Sequence, residues 1–196
     1  YVDAYYAKTS ELKNGNLNWK SLYKKENKVS YSHVFKDDKF IFLTANNSPN
    51  FRIASTSMKK TDFDNPETLI QEKPDEVIDD FKITSDGLYY RTSKNGVEAK
   101  LYFYGGEEDR LIELPKKSGR VRLSSKGIDY PDIWVLTMGW INDYERYRYI
   151  LRNDKYIKEN MVPVASFPEF EDLIIEEIMV KSHDDEEIPL SIVHKK

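Results

Sequence analysis

The sequence predicts an all-β fold: a partial β-propeller of about three and a half four-stranded antiparallel blades, then a short β-hairpin that opens a second domain. Three observations predict it. The 196 residues include 14 Tyr, 9 Phe and 3 Trp, mixed with Ile, Val and Thr in short runs that alternate apolar and polar, as half-buried strands do. Turn chemistry separates these runs at Asn14-Gly15, 46–50, Asp86-Gly87, Asn95-Gly96 and Gly105-Gly106, where Asn, Asp, Gly and Pro supply positive φ or a preset bend. A polar turn followed by an apolar strand recurs at Phe40, Leu88 and Ile133, a spacing of roughly 45 residues that fits one propeller blade.

In chain order, the expected strands are 17–23, 40–45, 51–57, 77–84, 88–93, 97–104, 110–114, 133–140 and 146–151. Two hairpins are the most legible: 88–93 with 97–104 around Asn95-Gly96, and 40–45 with 51–57 around the Asn-Ser-Pro-Asn turn. Short connections of this kind make neighbouring strands antiparallel. The organisation that follows is the outer half of a blade in 1–24, then three blades of four strands ending near Ala165, so that 1–165 form the propeller part. Pro163 and Pro168 frame a connection, placed at 166–172, and an acidic stretch runs through 169–177. Residues 173–181 and 188–194 then form two longer strands around the turn 182–187, and 173–196 begin the second domain.

Composition excludes several functions. With 33% charged residues and no apolar run approaching the roughly 18 residues of a membrane span, the expectation is a soluble protein with no membrane partner. The net charge of −4 comes from interspersed charges without the basic stripe that phosphate backbones require, so nucleic acid is not expected. Cysteine is absent, which removes thiolate catalysis and zinc-thiolate sites.

Two segments carry a family resemblance. FIFLTANNSPNFRIAS, residues 40–55, has the form strand, N-x-x-S-P-N-[FY]-R, strand. FEDLIIEEIMVKSHDDEEIPLSIVHKK, residues 170–196, has a strand, an S-x-D-G-type turn, an I-P-x-x-I-V strand and a Lys-Lys pair. Both resemble the prolyl oligopeptidase family of serine peptidases, the first its propeller hairpin and the second the passage from the last blade into the α/β-hydrolase domain. One departure is Asp185, where the family commonly has Gly; Asp tolerates the left-handed region better than most residues, so the turn survives with some strain.

The resemblance implies a seven-bladed propeller that caps the active site of a serine peptidase and admits only short peptides, cleaved after proline by a Ser/Asp/His triad. That triad would lie beyond Lys196, so no catalytic residue is assigned in this chain, its substrate-binding residues are unknown, and no cofactor or metal is expected. The partners implied are short peptides and the protein's own hydrolase domain, in a cytoplasmic or periplasmic setting. An isolated open arc of blades should also self-associate through exposed strand edges and blade faces.

Other constellations have plainer readings. No G-x-S-x-G elbow is present, and Gly105-Gly106 and Ser118-Gly119 are expected to be ordinary turns. His183 beside Asp184, Asp185, Glu186 and Glu187 suits a hard or borderline cation by donor type, but consecutive turn residues diverge and the EF-hand pattern is missing. His33 and His194 carry no motif, and His194 is expected at a surface or interface. Asp37-Asp38, Asp79-Asp80 and Glu107-Glu108-Asp109 are expected in solvated loops or strand ends, not as a glycosidase pair. Trp134, Trp140, Tyr144, Tyr147 and Tyr149 are expected to pack blade on blade. Two rival readings are a stand-alone β-rich module that binds a peptide, glycan or protein, and a related peptidase of the same superfamily with another specificity, such as the oligopeptidase that cuts after basic residues.

Overall fold

The computed structural model describes residues 1–141, 143–161 and 167–196. Strand β1 (Ala4–Tyr6) pairs antiparallel with β2 (Lys20–Tyr23). Three four-stranded antiparallel sheets follow, each a meander whose spatial order is its sequence order. The first holds β3 (Val29–Lys36), β4 (Lys39–Thr44), β5 (Arg52–Ser57) and β6 (Glu67–Ile70); the second holds β7 (Val77–Ile83), β8 (Leu88–Lys94), β9 (Glu98–Tyr104) and β10 (Asp109–Ile112). The third holds β11 (Arg120–Ser125), β12 (Ile133–Met138), β13 (Glu145–Ile150) and β14 (Lys155–Glu159). A separate hairpin pairs β15 (Leu173–Lys181) with β16 (Glu187–Lys195). The regular structure is that of a partial β-propeller, and among the described residues there is no α-helix. The expected end of the blades at Ala165 and the Pro163 side of the connection lie outside the described residues.

The chain divides into two compact units, 1–81 and 82–196. In the first, Phe40 and Phe42 of β4 project into an aromatic cluster with Tyr23, Phe63 and Val29, and the ring centroids of Phe42 and Phe63 are 5.0 Å apart. Strand β4 is buried on both faces after Lys39, which is why KFIFLT is a continuous apolar run instead of an alternation. In the second unit, Tyr89, Leu101 and Ile112 of one sheet pack against Val121, Ile133, Val135 and Tyr149 of the next. Here the third sheet alternates cleanly, and RVRLSS over IWVLTM buries every second residue, so one face is committed to the core.

The turns follow their residues. Asn95 and Gly96 have φ of 52° and 72°, and Val97 N donates to Lys94 O at 3.1 Å; with Lys94 opposite Glu98, the connection is the three residues 95–97, and its positive φ values fall on the Asn and Gly that favour them. The 46–50 turn is anchored by Asn50, whose side-chain amide donates to the carbonyls of Lys73 and Pro74, both at 3.0 Å. Asp185 adopts φ 66°, the left-handed conformation expected of it. Its amide donates to Ser182 O at 3.2 Å and Ser182 N donates to Glu186 O at 2.8 Å. Asp185→Gly is therefore expected to stabilise the hairpin by ~0.5–1 kcal/mol, the relief of left-handed strain less the entropy of Gly; urea melts of the two forms measure it.

Two sequence expectations need correction. Ser118-Gly119 is not an ordinary exposed turn: Ser118 is buried, its carbonyl accepts from Ala99 N at 2.8 Å, and Gly119 N donates to Met138 O at 3.1 Å. The dipeptide joins β9 of one sheet to β12 of the next, and a Cβ at Gly119 would stand 3.2 Å from Val97 O. Asp79 and Asp80 lie inside β7 and are half-buried, not in a loop or at a strand end.

Candidate functional site

The residues that could carry chemistry are dispersed. His33 is exposed on β3, its ring 5.3 Å from that of Phe40. His183 sits on the exposed hairpin turn with Nδ1 3.2 Å from the Ser182 hydroxyl, and His194 Nε2 lies 3.4 Å from Glu176 across the two strands. Asp38 is tied down by Ser57 Oγ at 2.9 Å and Lys59 Nζ at 3.5 Å, while Asp109 accepts from the hydroxyl of buried Tyr90. Among the described residues no group of three His, Asp or Glu is arranged to hold a metal ion.

Aromatic residues converge only in part. Tyr149 does pack sheet on sheet, edge-on to Tyr89 with centroids 6.2 Å apart. Trp134 lies on the opposite face of the third sheet, and Trp140 and Tyr144 are exposed, so none of the three takes part in the packing of the second sheet on the third. A polar clamp closes over the buried tyrosines: Arg110 Nη2 donates to Tyr149 Oη at 3.1 Å, and Tyr149 in turn donates to Asp154. Burial first, and then the Asp154 hydrogen bond, push the Tyr149 hydroxyl up to about 12. Burial likewise holds Tyr89 and Tyr156 protonated well above the usual phenol range. These tyrosines are packing groups and proton donors, not nucleophiles. Sequence reasoning missed Arg110 and Asp154, which stand 39 and 5 residues from Tyr149 with no shared motif.

Residues 2–137 match the family model described as the prolyl oligopeptidase N-terminal beta-propeller domain. The chain belongs to that family. No curated protein matches it. Among solved structures, this prolyl oligopeptidase propeller chain is similar to one from a study of two prolyl endopeptidases and their inter-domain dynamics, with TM-score 0.79 and 19% identity over 99% of this chain and 28% of that one. It is also similar to prolyl oligopeptidase B from Galerina marginata bound to a 35mer hydrolysis and macrocyclization substrate, with TM-score 0.74 and 14% identity over 92% and 26%. A third is oligopeptidase B from Leishmania major, with TM-score 0.69 and 12% identity over 92% and 27%. The chain thus spans about a quarter of the length of the solved structures it matches.

One ionic centre within the propeller part stands out. Glu145, at the start of β13, accepts from Lys158 Nζ at 2.7 Å, from Lys116 Nζ at 2.9 Å and from the Tyr147 hydroxyl. Burial raises its pKa, but the hydrogen bonds from Lys158, Tyr147 and Lys116 outweigh that and hold the carboxyl at about 2. A depressed folded-state pKa stabilises above the unfolded value of about 4.3 and is lost as pH falls towards 2. The lysines are half-exposed, so screening reduces the contribution to ~1 kcal/mol. Glu145→Gln should remove that part of the stability at pH 7 and flatten the fall in stability between pH 5 and 2, measured by urea melts across that range.

Proposed function

We propose that residues 1–165 are the C-terminal half of the propeller of a prolyl-oligopeptidase-like serine peptidase, that 166–172 lead out of it, and that 173–196 are the first strands of an α/β-hydrolase domain. In this reading the propeller caps the active site and limits entry to short peptides, hydrolysed after proline by a triad that other parts of the protein supply. The observation that carries it is the contrast between two kinds of sheet in one family member. The second and third four-stranded sheets bury a face on each other, whereas among the described residues the strands of the hairpin pair only with each other. Its register puts Ile178 opposite Leu190 and Val180 opposite Ile188, on one face and all about half-exposed. A two-stranded ribbon with such a face is marginal by itself and belongs to a larger core.

The test is made on the whole gene product. A fluorophosphonate probe should label one serine, and proline-containing peptides of about ten residues should be cleaved far faster than long unfolded chains with the same site. Absence of a reactive serine, or equal cleavage of short and long substrates, would overturn the reading. Isolated 1–196 is expected to self-associate in sedimentation; a stable monodisperse monomer would count against a partial propeller.

A further inference from the structure

The third sheet has a second face, turned away from the inter-sheet core, and it is amphipathic. Register places Arg148 beside Trp134, Arg122 and Arg146 on either side of Leu136, and Arg120 beside Met138. The Arg146 guanidinium lies 5.1 Å from the Trp134 ring centroid and the Lys126 ammonium 5.8 Å from it. Two carboxylates answer these cations. Glu159 meets Arg146 at 3.0 Å and accepts from Trp134 Nε1 at 2.8 Å; Asp132 meets Lys126 at 3.4 Å and Arg148 at 3.8 Å. Arg120 and Arg122 are exposed and have no acidic partner among the described residues. Lys155, opposite Ile150, adds a further cation to the same face.

A positive patch on a chain of net charge −4, with Trp134, Leu136, Met138 and 44%-exposed Ile157 at its centre, has the make-up of a protein interface: apolar and aromatic inside, arginines around. A phosphate backbone would be tracked by cations along a strip and gains little from that apolar centre. The sheet's other face already packs on a four-stranded sheet, and repetition of that packing is how propeller blades bury both sides.

We infer that this face docks an acidic-faced four-stranded sheet from another part of the same polypeptide, whose carboxylates pair with Arg120 and Arg122 around the Trp134 centre. The inference rests on the propeller reading and assigns the partner its charge. Relatives of roughly three and a half times this length have chain enough to supply such a sheet.

The whole gene product, mixed from light and nitrogen-15-labelled copies, is treated with a carbodiimide, and an Arg120→Glu/Arg122→Glu variant is melted at low and high salt. Expected are zero-length links within one copy from Lys126 or Lys155 to Asp or Glu outside residues 1–196. The double variant should melt a few degrees lower at low salt, with a smaller difference at high salt. Should the reversal not fold, Arg120→Gln/Arg122→Gln gives the same comparison with a smaller shift. Links between copies, shielding of both lysines that nuclease removes, or no links together with unchanged melting would each overturn the inference. Fluorophosphonate labelling of the same sample separates the two claims: labelled protein with no links and unchanged melting sinks this inference alone, and linked protein without a reactive serine sinks the peptidase reading alone.

Discussion

Replacing Tyr149 with alanine is expected to lower the unfolding free energy by ~3–5 kcal/mol, the cost typical of deleting a fully buried ring. Tyr149 is 2% exposed and sits where two sheets meet, against Tyr89 and Tyr156, whose centroids are 6.2 and 4.9 Å away. Its hydroxyl joins Arg110 of one sheet to Asp154 beside the next through a single oxygen atom. Tyr149→Phe keeps the ring and removes that link, so it should cost ~1–2 kcal/mol. Equilibrium urea unfolding of the two variants separates ring from hydroxyl. A loss below ~1 kcal/mol for the alanine variant would mean that the sheets are not held together through this residue.

Gly87→Ala should be nearly as severe, at ~2–4 kcal/mol, for a backbone reason. Gly87 has φ 151°, and a Cβ there would stand 2.7 Å from the carbonyl oxygen of Tyr104 and 2.8 Å from the Phe103 ring. The carbonyl belongs to the β9 strand and cannot yield without breaking the β8–β9 ladder, in which Leu88 faces Tyr104. Phe103 is packed on Tyr89, centroids 4.9 Å apart, so its movement would disturb the inter-sheet core. Gly96→Ala is the matched control: φ is 72° with nothing within 4 Å, so only conformational strain of ~1 kcal/mol is expected. Thermal melts of both variants distinguish the steric from the conformational cost, and equal losses would remove the steric argument.

The interior strands were legible because burial on both sides leaves an unbroken or alternating apolar signature, as in KFIFLT and IWVLTM. The strands that sequence reasoning passed over, β1, β3, β6, β11 and β14, all lie at sheet edges. Some of these edge strands are short and charged, as KYIKE and ETLI are, because an uncharged open edge invites pairing with another chain. That chemistry hides those two from a periodicity argument. The turn residues around His183 could be weighed from sequence, because neighbouring side chains on a tight turn diverge. The Arg110–Tyr149–Asp154 clamp and the Glu145 centre had no sequence signal. Each assembles groups from separate strands and connections, which only pairing and packing bring together.

By itself, the sequence determined the all-β class, the blade-sized repeat, the Asn-Gly and Asp185 turns and the family, since each is set by local residue chemistry: strand alternation, left-handed φ, and short contiguous motifs. Only the tertiary structure decided which face of each strand is buried, that Ser118-Gly119 joins two sheets, and that arginines from β11 and β13 gather around Trp134. Those depend on register and on sheet-to-sheet contact, and a period of two residues says that a strand has two faces without saying what each face meets.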